Sequence, residues 1–275
     1  MASELEVYTQ QANPAFEAAL ATRTAARDAA FFSRHLRQGM RVLDVGCGPG
    51  TITVGVAQLV APGVVIGIDI QPSLVERARA LAAARALPNV RFEVADVHAL
   101  PFADGSFDAA FGNGVLMHLA EPMHALTQMR RVLRPGGVIG VRDPDFGSVL
   151  HAPLTPALQH WLELRVRVRR HNGGDPFLGR QLRRLLLEAG FVDVAAGASV
   201  DSAGAPDELQ RHAAFLQAQW VGLARTAVAQ AWMDLTQVDA THCEIDAWAQ
   251  RPDAFAATTW CEAVGTVPAD PRRAN

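Results

Sequence analysis

The chain has no lysine: all 25 of its Lys and Arg residues are arginine, among 275 residues in total. That absence excludes a pyridoxal-phosphate Schiff base, a P-loop lysine and a Ser-Lys nucleophile pair. The many Ala, Gly and Arg residues beside it match a GC-rich coding sequence. Cysteine is scarce too. Cys47, Cys243 and Cys261 are an odd number with neither disulfide-framework nor ligand spacing, and they read as free thiols in a reducing cytoplasm. No stretch reaches the roughly 20 apolar residues of a membrane span, and MASELEVYTQ lacks the basic and apolar regions of a signal peptide, so a cytoplasmic protein is expected. A net charge of -3 offers no basic field to a phosphate backbone, which sets nucleic acid aside as a partner.

What is present is 49% hydrophobic and 19% charged, ample for one large domain or a domain with a substantial insertion. From residue 41 onward, short β-rich runs alternate with stretches of helical period, the mark of a parallel sheet covered on both faces. Strands are expected at 41–45, 64–69, 90–95, 107–112 and 137–142, with helices at 51–59, 72–85 and 122–133; Pro72 and Pro122 fall where a first-turn proline is tolerated. Two further helices, 155–171 and 177–189, flank the turn HNGGDP. Strand-like runs at 191–200 and 255–267 form a terminal pair, with a helical segment, 206–250, inserted between them. The fold class is therefore α/β, with a core over 41–201 and 255–267. A helical N-terminal cover over 1–40 carries apolar residues at helical spacing (Phe16, Ala19, Leu20, Ala29, Phe32, Leu36). The tail PADPRRAN reads as disordered.

In an open parallel sheet, ligands bind at the carboxyl ends of the strands. The first such end is LDVGCGPGTIT, with Gly46, Gly48 and Gly50 spaced G-x-G-x-G. A dinucleotide fingerprint needs its third glycine one place later, at Thr51. Asp44 also stands ahead of the loop, where a carboxylate repels a pyrophosphate but suits a ligand ammonium. The second end carries Asp69, placed to accept ribose hydroxyls or merely to open the next helix. The third carries Asp96, which can accept an adenine amino proton or sit as a turn acid in water. The fourth carries Asn113, with His118 one turn on. Together these features ask for adenosine with an amino-acid tail and no phosphates.

The motifs VLDVGCGPGTIT, VIGIDIQPSLVERAR, ADVHALPFADGSFDAAFGNGVLMHL and VLRPGGVIGVRD, over about residues 40 to 145, resemble those of a class I S-adenosylmethionine-dependent methyltransferase. The branch resembled is the small-molecule one, of ubiquinone/menaquinone-biosynthesis and natural-product enzymes. The resemblance implies a Rossmann-like sheet of seven mostly parallel strands with the last antiparallel, and S-adenosyl-L-methionine as cofactor. It implies that Gly46, Cys47, Gly48 and Gly50 face the methionine end with Asp44 nearby, that Asp69 takes the ribose, and that Ile70 packs on the adenine. Asp96 and Val97 would hold the adenine amino edge, Asn113 would meet the cofactor through backbone or amide, and Tyr8 would close over its carboxylate. LRPGG is structural, and Arg134 takes no catalytic part.

Methyl transfer from a sulfonium is an in-line displacement that needs alignment and exclusion of water, and a base only for some acceptors. His118 is the first candidate base; the alternative is a ring that packs beside the cofactor or caps a helix. Asp143 and Asp145 close the fifth strand and are expected to reach the substrate, with Asp143 a second candidate for proton transfer. They are too few to imply a metal. His151 is placed on the substrate side as well. The run RVRVRRHNGGDP spreads charge around a helix and reads as a solvated surface. The sharper alternative is an anionic substrate group at the helix end, met by Arg170 and His171. The insertion is expected to supply an apolar lid. NGVL stands where base- and amide-modifying enzymes carry NPPY, so a small, lipophilic metabolite is the expected substrate. The rivals are an NAD-dependent oxidoreductase and a cofactor-binding protein or cyclase without methyl transfer. A homodimer stays open.

Overall fold

The structure is a computed structural model, described here for residues 8–11 and 13–269. Its centre is a sheet whose inner strands are buried on both faces and accordingly read as apolar runs. They are β1 (Val42–Val45), β2 (Val65–Asp69), β3 (Val90–Val94), β4 (Phe107–Asn113) and β5 (Leu133–Pro144). β1 pairs in parallel with both β2 and β4; β2 continues to β3 and β4 to β5. Strand order therefore reverses between β1 and β4, and the crevice above their carboxyl ends is where the ligand-binding loops converge.

The expected terminal pair is present as β7 (Val192–Ala203) and β8 (Phe255–Thr266). β8 runs antiparallel to β5 on one edge and to β7 on the other. The strand count is eight among the described residues rather than seven. The extra strand, β6 (Leu150–Ala152), continues the line of β5 along β8 at Phe255–Ala257. Three residues are too few to show a period, so the pattern of residues gave no sign of it.

Helices cover both faces. α2 (Ala25–Asp28), α3 (Ala30–Ser33), α4 (Thr51–Val60) and α5 (Pro72–Ala84) bury Ala25, Phe32, Val54 and Val75 on one. Phe32 stacks on Phe111 at 5.3 Å and lies against Gly140, where any side chain would collide with its ring. On the other face, α6 (Pro122–Val132) and α8 (Leu182–Glu188) bury Leu126, Met129, Leu182 and Leu186. A third apolar cluster lies apart from these two. α7 (Pro156–His171) packs with α9 (Pro206–Ala229) and α10 (Leu235–Ala249) through Trp161, Val168, Leu216, Trp220 and Trp248, roofing the crevice. α1 (Pro14–Leu20) ties the N-terminal cover to that roof: Phe16 meets Phe215 at 5.9 Å, and Asn13 donates to the Ala218 carbonyl at 2.7 Å. No described helix is long and apolar enough to cross a membrane. Residues 1–7 and 12 of the cover, and 270–275 of the tail read as disordered, lie outside the described residues.

Candidate active site

Above the switch point lies a cavity of about 870 Å³, in the upper part of the range that holds a cofactor or drug-sized ligand. Its floor is the loop between β1 and α4. Gly46, Gly48 and Gly50 all adopt φ between +54° and +80°, a left-handed backbone that favours glycine. They serve different ends. Among the described residues, the only neighbour of a Cβ added at Gly48 is Leu20 at 4.0 Å, so the missing side chain leaves room for a ligand. Gly50 does not line the cavity: its Cβ would press on Ala78 and Phe92, each 2.8 Å away, so packing beneath the loop demands glycine there. Cys47 lines the cavity while its N–H donates to Ile68 at 2.9 Å, binding the loop to β2; burial pushes its thiol pKa up.

The acids at the strand ends face the same space. Asp44, 3% exposed, accepts from the Thr53 hydroxyl at 2.6 Å; burial nevertheless lifts its pKa to about 7. Asp69 accepts from the Gly48 N–H at 3.0 Å and the Gln71 N–H at 2.9 Å, and burial raises its pKa as well. A carboxylate offers about four acceptor sites, so Asp69 retains capacity for two hydroxyls. Ile70 projects 55% exposed at the cavity wall, an apolar side chain awaiting a cover. Asp96 accepts from the His98 N–H at 2.9 Å at the head of a 3-10 turn whose first residue, Val97, is buried. Asn113 donates to the Asp28 carbonyl at 3.2 Å, while its Oδ1 is buried with no partner among the described residues. A buried acceptor left unmatched costs about 1–3 kcal/mol, and a ligand donor would relieve it.

At the far end of this wall, the Tyr8 ring lies 4.9 Å from that of His118. Burial lifts the Tyr8 phenol to about 12, so it is neutral. Nδ1 of His118 is held by Nη1 of Arg169. A guanidinium only donates, so Nδ1 is the acceptor and the ring proton sits on Nε2. Burial and the adjacent arginines also push the His118 pKa well below its ordinary value. A ring whose free lone pair is already engaged cannot take a proton from substrate. The alternative reading of His118, a ring packed beside the ligand, fits this geometry; the general base does not.

The substrate-side residues expected from sequence also need correction, because none of Asp143, Asp145, His151, Arg170 and His171 lines the cavity. Asp143 is fully buried behind the turn that carries His118, where it accepts from the Met117 N–H at 3.3 Å. Burial raises its pKa to about 7. Asp145 caps the 146–148 turn through the Gly147 N–H at 2.8 Å and pairs with Arg180, whose Nη2 lies 2.7 Å away. His151 is locked Nε2 to Nε2 against His212 at 3.1 Å, edge-on to Trp248. Arg170 lies over Phe177, and His171 packs on Trp232, both on the outer side of α7.

A family model described as a methyltransferase domain matches residues 36–190, which span the glycine loop and all three strand-end acids. The chain belongs to the methyltransferase family. Within it, the probable methyltransferase ltbC of Aspergillus luteorubrus is 30% identical over 258 residues, covering 88% of this chain and 90% of that protein. The chain spans only 44% and 64% of the length of two other curated relatives it matches. Among solved structures, the [4+2]-cyclase SpnF is similar at a TM-score of 0.58 and 22% identity, covering 96% of this chain and 98% of that one. Haemonchus contortus phosphoethanolamine N-methyltransferase 2, in complex with S-adenosyl-L-methionine, is similar at 0.59 and 17% identity, covering 95% and 58%. At these identities the likeness to both is one of fold.

Of the residues that the methyltransferase motifs assign to cofactor, every one but Gly50 lines the cavity. The orphaned Asn113 Oδ1, the open face of Gly48 and the uncovered Ile70 fit a ligand with a polar tail and a flat apolar ring. Sequence reasoning missed the arginines. Arg23, Arg165 and Arg169 all line the cavity, and Arg142 is buried beneath it between Asp28 (3.2 Å) and Glu262 (3.3 Å), over the Trp260 ring at 4.2 Å. A signal for two of them existed. Arg165 and Arg169 fall on the helical stripe of Leu158, Trp161 and Val168, the face that α7 buries.

Proposed function

We propose that this methyltransferase moves a methyl group from S-adenosyl-L-methionine to a small, largely apolar metabolite, at oxygen, carbon or nitrogen. One observation carries the choice of donor: a buried carboxyl, Asp44, heads the glycine loop at the cavity floor. It disfavours a pyrophosphate and suits an ammonium. When bound, the cofactor supplies an electrophilic methyl carbon on a sulfonium, open to in-line displacement. The protein's part is to bind, orient and keep water out. Asp44 would face the amino group, Asp69 the ribose, Ile70 the adenine ring, and Asp96 with Val97 its amino edge. Asn113 would accept from the cofactor through Oδ1, and the neutral Tyr8 would cover its carboxylate. Because His118 offers no free lone pair, the reading favours acceptors that arrive as nucleophiles, such as a phenolate, carboxylate or amine.

The apolar roof of α7, α9 and α10 serves in this reading as the substrate lid, and the free thiols Cys47, Cys243 and Cys261 support a cytoplasmic setting. The test is ligand-dependent melting. S-adenosylhomocysteine at a hundredfold excess over its Kd should add about 2.7 kcal/mol of stability, and NAD at the same concentration none. Asp69→Ala should lose both that stabilisation and any methylated product. Stabilisation by NAD, or a fully active Asp69→Ala protein, would overturn the assignment.

A further inference from the structure

One buried charge in the cavity is used neither by the fold nor by the residues assigned to the cofactor. Arg165 is 8% exposed, its guanidinium carbon 3.4 Å from the centre of the Phe146 ring and 5.1 Å from that of Trp161. Among the described residues no carboxylate reaches it. The charged group that acts on it is Arg169, whose repulsion adds to burial in pushing its pKa down. A guanidinium stays protonated near neutrality even so. Its neighbours differ from it in having an acceptor or an acid that acts on them. Arg169 is engaged by His118, with Thr9 at 3.5 Å and the Asp143 carboxyl behind it. Arg23 lies 5.2 Å over Trp260, with Asp28 acting on it. His212, beside Arg165, is neutral and brings no negative charge.

A cation buried against two aromatic rings, with none of the cavity's carboxylates within reach of it among the described residues, is costly to the empty protein and matched by an anionic ligand. One free guanidinium fork fits one carboxylate in bidentate fashion; a phosphate monoester, near −2 in charge, would call for a second free cation, and Arg169 is committed to His118. Phe146, Val149, Phe215 and Leu223 add apolar lining to the same cavity, beside polar residues that include Gln219 and the neutral His212. We propose that the methyl acceptor is an apolar carboxylic acid whose carboxylate is held by Arg165, with Arg169 alongside. This rests on the methyltransferase reading. Arg165 stands one helical turn, about 5.4 Å, from Arg169, which borders His118 and the cofactor residues, so it grips the substrate away from the donor. It is a specificity residue, and α7 supplies the specificity.

The experiment uses the full chain saturated with S-adenosylhomocysteine, titrated with benzoate, 3-phenylpropanoate and decanoate, each beside its primary amide, and with phenyl phosphate. At least one carboxylate should bind and outbind its amide at least tenfold. Arg165→Met should remove that preference while leaving the Kd for S-adenosylhomocysteine within about twofold; Arg165→Lys should retain part of it, as charge without the fork. Should Arg165→Met fail to fold, Arg165→Lys and Arg165→Gln carry the same comparison. The proposal is overturned if no carboxylate outbinds its amide, if phenyl phosphate binds more tightly than all of them, or if the variants bind carboxylates as the wild type does. Loss of S-adenosylhomocysteine binding in the variants would also overturn it, by assigning Arg165 to the cofactor. Wild-type protein that fails to bind S-adenosylhomocysteine at all sinks the underlying reading instead, and is seen before any carboxylate is added.

Discussion

Cofactor affinity should depend on pH through Asp44. Burial holds this carboxyl at about 7 in the cofactor-free protein, against an ordinary value near 4. An ammonium placed beside it favours the ionised form and returns the pKa toward the ordinary range. The full return would be worth about 4 kcal/mol, taking 1.36 kcal/mol for each factor of ten. The sign follows from proton binding: below pH 7 the free protein holds a proton that the complex releases, so affinity falls as pH falls. Between pH 7 and pH 5 the Kd for S-adenosylhomocysteine should rise by roughly tenfold for each pH unit, and above pH 8 it should level off. Asp44's contribution to the stability of the cofactor-free fold has the opposite sign, because its raised carboxyl favours the folded state at low pH and that contribution is lost as pH rises from about 4 through about 7. Titration calorimetry in two buffers of different ionisation enthalpy reads the proton directly, with nearly one released per ligand bound at pH 6. Asp44→Asn should bind more weakly at pH 8, with a flat profile and no release. A flat profile in the wild type, or a slope that survives in Asp44→Asn, refutes the reasoning.

Arg142→Met removes the cation shared by the buried Asp28, which keeps Arg27 at 3.2 Å, and the half-buried Glu262, and should cost about 1–3 kcal/mol in urea unfolding; a cost under about 0.5 kcal/mol would show that the network does not anchor the N-terminal cover. Gly50→Ala combines a left-handed backbone with contacts to Ala78 and Phe92, and should lose about 2–5 kcal/mol of stability. Gly48→Ala meets open space instead, so it should lose about 1–2 kcal/mol and act mainly on the affinity for S-adenosylhomocysteine.

That the residues assigned to the cofactor share one cavity was legible in the sequence, because they lie in local motifs at strand ends: a turn that demands glycine, then acids at a fixed distance along the chain. The expected strands fall within a few residues of β1 to β5 for the same reason, since a strand buried on both faces writes itself as an apolar run. The acceptor half was not legible. Asp143 lies near the end of the fifth strand and Asp145 follows it, but β6 continues the line of β5 along β8, and both carboxyls turn into the fold, toward the Met117 N–H and Arg180. In the arginines of α7, residue type and period point in opposite directions. RVRVRR looks like a solvated face when counted by residue type, yet Arg165 and Arg169 alternate with the exposed Arg167 and Arg170 at the spacing of a buried stripe. The local sequence does not show the partner, since α9 and α10, which pack on α7, begin 35 and 64 residues after its end.

The acids of the strand ends and the arginines of α7 meet in one cavity, and they come from different parts of the chain. The acids Asp44, Asp69 and Asp96 end strands of the sheet, whereas Arg165 and Arg169 sit on a helix of the roof. Groups on rigid strand ends are held by backbone bonds, as the Gly48 and Gln71 N–H groups hold Asp69, and cannot move without disturbing the loop beside them. A side chain on α7 is under no such constraint. Arg165 is fixed by two aromatic rings and bonded to nothing among the described residues, so its replacement alters what the roof attracts and leaves the floor intact. On the proposed reading the donor site is tied to the fold, while the acceptor would be chosen by a few side chains of one helix. That separation is the physical reason why these motifs identify the cofactor and are silent on the substrate.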